Sequence, residues 1–218
     1  ANDIGVESIS REQAETIYNS HHSYMDGDLH TANFDHHGIY YNDNLMGAIT
    51  YRYPLISRKR LHFNTDGELL PEPLTDEDFD SLPEELQSRA RELIPQISEA
   101  EVAETKVVKG DRIAAADRIC LGVRMPNLAS AGLAQSQEEF FTSDACPDAV
   151  KYLVTFVRAD YKGSMVRELR GKGWRCVGWT EPSQASNREN KEIREHYKWC
   201  FLCPIEEIVE QCALTDFA

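Results

Sequence analysis

The second half of the chain alternates strand-like and helix-like segments, and this alternation limits the fold more than any other feature of the sequence. Apolar stretches typical of strands cover residues 112–123, 152–157, 174–179 and 197–202. Two helical patterns, at residues 133–141 and 164–170, separate the first three of these stretches. Chains that alternate in this way fold into a sheet with helices packed on its faces. We therefore predict an α/β fold built on a mixed sheet.

The first half of the chain adds a helix and a hairpin to this sheet. A capping box at Ser10–Gln13 predicts a helix over residues 10–20. Residues 34–41 and 45–53 alternate apolar and polar side chains on either side of Asn42-Asp43-Asn44, which is a typical hairpin turn. These two strands are expected to join the sheet of the second half.

Acidic residues are concentrated in one segment. The chain carries 37 acidic and 23 basic side chains, a net charge of −14, which argues against a generic nucleic-acid binder. Residues 66–104 hold thirteen of the acids and only Arg89 and Arg91 as bases, so the rest of the chain is close to neutral. We predict a single domain over residues 1–218 that contains an acidic, helical insertion at residues 66–106.

The six cysteines are expected to be reduced and buried. The sequence shows neither a secretory signal nor an apolar run long enough for a membrane helix, so we expect a cytoplasmic protein with no membrane partner. Cys200 and Cys203 have the spacing of a metal site, but no second pair completes a zinc ribbon. In a strand, their sulfur atoms would point to opposite faces of the sheet.

A loop of small side chains precedes the helical pattern at residues 133–141. The Ala-Ser-Ala-Gly sequence at residues 129–132 lets a ligand approach the backbone at the helix N-terminus. Free N–H groups and the helix dipole favour an anion such as a pyrophosphate at that place. The alternative is a turn that only packs the helix on the sheet, and composition favours neither interpretation.

Asp160 follows the predicted strand at residues 152–157. Open α/β sheets bind ligands at the carboxyl ends of their strands, where a carboxylate serves as a general base or a metal ligand. The alternative role is an N-cap for the next helix. Six of the seven histidines lie between residues 21 and 62, and imidazoles near a carboxylate bind transition metals. Among them His21 and His22 are the best candidates, and ordinary loop histidines are the alternative.

The densest basic stretch lies beside the hairpin. It consists of cations interleaved with aromatic rings: Arg52, Arg58, Lys59, Arg60 and His62, with Tyr51 and Tyr53. This combination suits contacts with a nucleic-acid backbone and with bases. The alternative is a solvated patch that balances the acidic insertion.

Five segments together resemble the phage Mom DNA-modification proteins, which belong to the GNAT-like acyltransferase superfamily. The segments are HHSY (21–24), FDHHGIYYNDNLMGAITYRYP (34–54), ADRICLGVRMPNLASAGL (116–133), LVTFVRADYKG (153–163) and GWRCVGWTEP (173–182). The resemblance implies a mixed sheet that splays to admit a CoA-type cofactor such as acetyl-CoA. It also implies modification of the N6 amine of adenine in double-stranded DNA, an anti-restriction role, and iron, with the histidines as its candidate ligands.

The resemblance also assigns residues to this reaction. The implied catalytic residues are Asp160, His21, His22, Tyr51 and Ser130. The implied cofactor-binding residues are Leu121, Gly122, Val123, Asn127, Ala129, Ser130, Ala131, Gly132, Leu133, Tyr161 and Gly163. The implied DNA-binding residues are Arg52, Arg58, Lys59, Arg60 and Arg118. The usual GNAT pyrophosphate signature is absent from residues 124–132.

Two other functions compete with DNA modification. One is an N-acetyltransferase of a small molecule or a protein, which predicts turnover of acetyl-CoA without DNA. The other is a GNAT-fold interaction protein without catalysis. It predicts no binding of CoA compounds and uses the acidic insertion as a DNA mimic or as a partner surface.

Overall fold

The protein is an α/β structure built around one large sheet. The computed structural model describes residues 4–21, 29, 33–52, 60–63, 69–70, 74–96, 106–109, 113–125, 127–182 and 196–204. The strands in these residues are β1 (Ile4–Ser8), β2 (Asn33–Tyr41), β3 (Asn44–Arg52), β4 (Arg60–Phe63), β5 (Leu69–Leu70), β6 (Lys106–Lys109), β7 (Ile113–Leu121), β8 (Tyr152–Arg158), β9 (Arg175–Thr180) and β10 (Lys198–Pro204). The helices are α1 (Arg11–His21), α2 (Asp76–Asp80), α3 (Glu84–Leu93), α4 (Leu128–Thr142) and α5 (Met165–Arg170).

The large sheet has the strand order β1-β2-β3-β7-β8-β10-β9. Its neighbouring strands are antiparallel, except β7 and β8, which are parallel. A small antiparallel sheet has the order β5-β4-β6. The prediction of a mixed sheet flanked by helices is confirmed.

The hairpin of β2 and β3 forms where the sequence predicts it. Asn42 and Asp43 have φ angles of 47° and 61°, so both lie in the left-handed region that a tight hairpin turn requires. Asn and Asp tolerate this region better than other residues with a side chain. Strand β1 was not predicted, because five residues offer too little alternation to identify a strand.

Alternating residues of β3 separate two packed layers. Ala48 packs with Ala14 and Tyr18 of α1 on one face of the sheet. Ile49 packs with Leu133 of α4 on the opposite face. The sheet is therefore covered on both faces, as the alternation of strands and helices predicts.

Helix α4 begins at Leu128, whereas the sequence predicts a loop as far as residue 132 and a helix from residue 133. This prediction was wrong, because the small residues at 129–131 continue a helix once it has started. The helix begins where it does because Asn127 has a φ angle of 63°, which is incompatible with a helical residue at that position.

The acidic insertion contains α2 and α3, as predicted, but also β5 and the first residue of β6. It is therefore not wholly helical. Thr75 caps α2 in a capping box with Asp78. Phe79 of α2 is fully buried, and its ring lies 5.6 Å from the ring of Trp179 in β9. The described helices of the insertion thus contribute to the main core.

The cysteine prediction is confirmed for the described residues. All five described cysteines are free thiols, four of them buried. Cys200 packs in one hydrophobic cluster and Cys203 in another, as two sulfurs on opposite faces of β10 must. The predicted helix at residues 204–212 and Cys212 lie outside the described residues. No helix among the described residues is long and apolar enough to cross a membrane.

Candidate active site

The two parallel strands at the centre of the sheet separate soon after they begin. Strands β7 and β8 pair only at Ile113–Tyr152, Ala114–Leu153 and Ala115–Val154. Just beyond, the Thr155 hydroxyl donates to the carbonyl oxygen of Ala116 over 2.9 Å. Residues 116–121 of β7 then have no partner in the register of β8. A strand edge without a neighbouring strand offers backbone N–H and C=O groups to a ligand, here beyond the Ala116 carbonyl that Thr155 occupies.

Strand β7 is also bulged where this gap opens. In the register with β3, Arg118 pairs with Thr50 and Ala116 pairs with Tyr51, so Asp117 is an extra residue. A bulge bends the strand and leaves the extra residue unpaired, and bulges are frequent beside active sites. The gap between β7 and β8 therefore combines a free strand edge with a local change of backbone direction.

The N-terminus of α4 follows the gap along the chain. Its N-cap residue, Asn127, makes no side-chain hydrogen bond to the helix, and the first turn has no acidic residue. The Asn127 carbonyl oxygen accepts from the Ala131 amide over 2.9 Å and from the Ser130 hydroxyl over 3.2 Å. The first amides of a helix have no intrahelical acceptor, and here the side-chain cap that usually binds them is missing. This helix end fits an anion.

The implied cofactor-binding residues on β7, on α4 and in the loop between them divide into two groups. Leu121 ends β7, Gly122 and Val123 follow it, and Asn127–Ala131 start α4, so these residues border the gap. Leu133 is 1% exposed. A Cβ atom on Gly132 would lie 2.8 Å from Ile39 of β2. Gly132 and Leu133 therefore pack α4 on the sheet and lie too deep to contact a cofactor.

His21 lies at the same end of the sheet. It is the exposed last residue of α1, and a Cβ atom on Gly122 would lie 2.8 Å from its Nε2 atom. The imidazole therefore rests on the backbone just after β7. The contact depends on the absence of a side chain at residue 122. His22 and Tyr24 lie outside the described residues.

Asp160 lies beyond the carboxyl end of β8 and is half-exposed. Arg158 donates from Nε to Oδ1 over 2.8 Å and pairs through a second nitrogen with Oδ2. The Nδ1 atom of His196 lies 3.7 Å from Oδ2. The hydrogen bonds from Arg158 lower the pKa of Asp160. The carboxylate is thus ionised at neutral pH, but it is a weaker proton acceptor than a free aspartate.

Tyr161 is the exposed aromatic residue at this end of β8. The side chain remains 45% exposed, and a Cβ atom on Gly163 would lie 2.1 Å from its hydroxyl oxygen. Val123, which is 40% exposed, follows β7. Each of the two separating strands is therefore followed by an exposed apolar side chain.

The structure places Tyr51 in the core, although the resemblance implies a catalytic role. Its side chain is fully buried, and its ring stacks on Phe140 of α4 at 4.1 Å. Its hydroxyl lies 2.8 Å from the Ser136 hydroxyl oxygen. Burial raises the pKa of Tyr51. A ligand therefore has no access to the ring or to the hydroxyl.

The expected DNA contacts of two arginines do not fit their positions. Arg118 is 8% exposed, and its guanidinium lies 5.5 Å from the centre of the Tyr18 ring. Arg52 forms an ion pair of 2.6 Å with Asp117, and both side chains are largely buried. Sequence reasoning missed the burial of these two arginines because a run of basic residues does not show which side chains point into the protein. Arg58 and Lys59 lie outside the described residues, and only the strand position of Arg60 is described.

Similarity to known proteins comes from structures alone. No family model and no curated protein sequence matches this chain. The ribosomal-protein-S18-alanine N-acetyltransferase from Escherichia coli has 9% sequence identity, a TM-score of 0.50 and an alignment over 93% of this chain and 94% of its own. A spermidine N-acetyltransferase chimera from Vibrio cholerae and hSSAT has 10% identity, a TM-score of 0.51 and an alignment over 94% and 98%. This chain has a GNAT fold.

The comparison confirms the fold that the resemblance implies. At these identities the similarity establishes the fold, and the Mom-like identity stays a prediction. The iron prediction gains no support, since the described residues contain no group of three or more His, Cys, Asp or Glu side chains that could hold a metal ion.

The GNAT sheet carries one polar network on its α4 side, which we call the sealed network: Asp35, His37, Tyr51 and Ser136. The Nε2 atom of His37 lies 2.9 Å from Asp35 Oδ2, and its Nδ1 atom lies 2.9 Å from Ser136 Oγ. His37 and Ser136 are fully buried. Burial opposes ionisation of Asp35, but the bond and charge of His37 outweigh it, and the pKa of Asp35 is lowered.

The opposite side of the sheet carries a second network, which we call the α1 network: Tyr18, His36 and Thr50. The Nδ1 atom of His36 lies 3.0 Å from the Thr50 hydroxyl oxygen, which lies 2.8 Å from the Tyr18 hydroxyl oxygen. The Tyr18 hydroxyl donates to the Arg118 carbonyl oxygen over 3.4 Å. Thr50 and Tyr18 are fully buried, whereas His36 is half-buried. Burial lowers the pKa of His36 and raises the pKa of Tyr18.

Sequence reasoning missed both networks as units. One signal was present, because neighbouring histidines in a strand point to opposite faces. Nothing in the sequence, however, pairs His37 with Ser136 or Tyr18 with residue 118, which are 99 and 100 residues apart.

Proposed function

We propose that this protein is an N-acyltransferase that moves an acyl group from a CoA thioester to an amine. One observation carries the proposal: parallel strands that pair over three residues and then separate, followed by a helix N-terminus without a side-chain cap. The gap offers hydrogen-bonding backbone to an extended ligand, and the helix end offers amides to its phosphates.

The donor fits the polar groups of this region. The amides at the start of α4, together with the Ser130 hydroxyl, would hold the pyrophosphate of CoA. The edge of β7 beyond Ala116, where β8 no longer pairs with it, would bind the amide groups of the extended arm of CoA. CoA would supply an acyl carbonyl activated as a thioester. The chain would orient that carbonyl and remove a proton from the amine, whose nitrogen forms the new C–N bond as the C–S bond breaks. CoA then leaves as a thiolate and is protonated to the thiol.

Two imidazoles are placed to accept that proton. His21 lies against Gly122 after β7, and His196 lies beside Asp160 after β8. Imidazole is the side chain that most often takes a proton at neutral pH. Asp160 is a weaker acceptor because Arg158 stabilises its charged form. We assign Asp160 a positioning role instead, through its contact with the His196 imidazole.

The acceptor class follows from charge and from the two solved structures. Their names state that they acetylate a nitrogen, in ribosomal protein S18 alanine and in spermidine. This chain has a net charge of −14, which raises the local concentration of cationic amines around it. An amine is therefore the acceptor we favour.

The N6 amine of adenine in DNA is the second candidate acceptor. The sequence segments that resemble Mom proteins favour it, and the described parts of them place Ser130 at the start of α4 and Asp160 after β8. DNA contacts would have to come from residues other than the buried Arg52 and Arg118.

The donor site is tested by adding one negative charge to α4. Ser130→Glu places it beside the amides that would hold the pyrophosphate, and we expect CoA binding to weaken about tenfold or more. Gln135→Glu puts the same charge on an exposed residue farther along the same helix, as a matched control. Isothermal titration with CoA measures both. Equal affinities for CoA in the two variants would show that the N-terminus of α4 does not bind the donor.

Mass spectrometry separates the acceptors. One arm offers acetyl-CoA and a panel of polyamines and N-terminal peptides to the purified protein. The other arm analyses nucleosides from DNA that was co-expressed with it. Acetylated amines without modified adenine are the expected result. Modified adenine alone selects the second candidate, and neither product together with no CoA binding rejects the transferase.

A further inference from the structure

The hydroxyl group of Tyr18 lies where α1, β3 and the bulge of β7 meet. We propose that Tyr18 is a positioning residue for acyl transfer, which holds the Arg118 peptide beside the gap through a hydrogen-bond chain that starts at His36. This inference rests on the proposed function. It adds to that function the means by which the free edge of β7 is kept in place.

The proton donors of the α1 network fix its direction. A carbonyl oxygen only accepts, so Tyr18 donates to Arg118 in their 3.4 Å contact. The Tyr18 oxygen then accepts from the Thr50 hydroxyl at 2.8 Å, and Thr50 accepts from Nδ1–H of His36 at 3.0 Å. In this direction the Thr50 and Tyr18 hydroxyls each accept one of these hydrogen bonds and donate the next. In the reverse direction Tyr18 would have no proton for the Arg118 carbonyl.

The Arg118 peptide is the part of β7 whose orientation matters most. It lies at the bulge, beyond the last residue that pairs with β8. The carbonyl of Arg118 and the amide of Ile119 belong to one planar peptide unit, so a hydrogen bond to the oxygen fixes the direction of the N–H. Backbone groups that bind a reacting carbonyl accelerate transfer only when they are held in place beforehand.

The direction of the hydrogen-bond chain does not change when His36 gains or loses a proton. The charged groups that act electrostatically on this imidazole are Arg11 and Glu15 of α1 and, from the opposite face, Asp35 and His37 of β2. Burial lowers the pKa of His36, and Asp35 opposes the shift. Both the charged form and the neutral Nδ1–H form donate to Thr50. A positioning role therefore predicts an effect on rate that does not depend on pH.

The activity test compares two buried tyrosines that each lose only a hydroxyl. We expect Tyr18→Phe to lower kcat about tenfold, with the donor KM within twofold and an unchanged shape of the pH–rate profile. Thr50→Val should reproduce this result. The matched control is Tyr51→Phe, which removes a buried hydroxyl on the other face and should leave kcat within twofold. An equal loss of kcat in both tyrosine variants overturns the proposal.

A second readout does not require activity. Carbonyl-¹³C arginine combined with ¹⁵N isoleucine selects only the two Arg–Ile pairs of the sequence, at residues 112–113 and 118–119. We expect the Arg118 carbonyl signal to move in Tyr18→Phe and to stay in Tyr51→Phe, with Arg112 as an internal reference. If the Arg118 carbonyl signal does not move in Tyr18→Phe, the positioning role of Tyr18 is rejected and the proposed function is not affected. Absence of transfer by the unmodified protein rejects the proposed function, and this positioning role with it.

Discussion

His36 and His37 are neighbours in β2, yet they belong to networks on opposite faces of the sheet. The sealed network ends on the carboxylate of Asp35 and contains two fully buried members on β2 and α4, His37 and Ser136. The α1 network starts at the half-buried His36 and ends on the Arg118 peptide beside the gap. Both use one imidazole and two hydroxyl groups.

The difference between the networks lies in what each of them joins. The sealed network links the sheet to the middle of α4 through the fully buried His37 and Ser136, and it holds the partly buried carboxylate of Asp35 beside its imidazole partner. The α1 network links a residue near solvent to the backbone edge that a ligand would use. We expect the first to contribute mainly to stability and the second mainly to rate.

The largest expected effect is on the stability of the sealed network. His37→Ala leaves the Asp35 carboxylate and the Ser136 hydroxyl without their imidazole partner and opens a cavity. We expect a loss of about 3–5 kcal/mol in the free energy of unfolding. His36→Ala should cost only about 1 kcal/mol, because its partners are a hydroxyl and solvent. Urea denaturation measures both variants, and similar losses would erase the distinction between the two faces.

A smaller effect tests whether the sealed network acts as a unit. Tyr51→Phe and Ser136→Ala should each cost about 1–2 kcal/mol. The double variant should cost less than the sum by about 1 kcal/mol, because both changes remove the same hydrogen bond of 2.8 Å.

The control for this cycle crosses the sheet. Tyr18→Phe combined with Ser136→Ala joins two residues on opposite faces that share no partner, so their costs should add to within about 0.5 kcal/mol. Coupling of the same size across the sheet would mean that the two networks are one.

The local parts of this fold could be predicted from the sequence. The hairpin turn at residues 42–43 and the capping box at Ser10–Gln13 depend on residues close in the chain, and both formed where predicted. Alternation along β2 also placed His36 and His37 on opposite faces. Periodicity is a local property, and these features follow from local backbone preferences.

The remaining features depend on contacts between distant residues. The sequence placed Asp160 after a strand, but it did not show that Arg158 would neutralise it. It favoured Tyr51 and Arg118 as functional side chains, whereas packing by α4 and α1 buries both. Burial is decided by which helix covers which face of the sheet, and no single-sequence pattern specifies that pairing.

The smallest expected effect is on the pH dependence of folding stability, which should differ between the two networks. The pKa of His36 is lowered by burial, and the pKa of Asp35 is lowered chiefly by the bond from His37 against the opposing effect of burial. In the folded state both groups bind fewer protons than in the unfolded chain. Their contributions are therefore complete above the unfolded pKa and are lost as the pH falls through the folded pKa.

The two losses should occur in different pH ranges, because an unfolded histidine titrates near about 6.5 and an unfolded aspartate near about 3.9. We expect His36→Gln to flatten the decrease in stability just below about pH 6.5, and Asp35→Asn to flatten only the decrease below about pH 4. Thermal unfolding at a series of pH values measures both slopes. If the His36→Gln variant still loses stability just below about pH 6.5, protonation of His36 is not the cause of that loss.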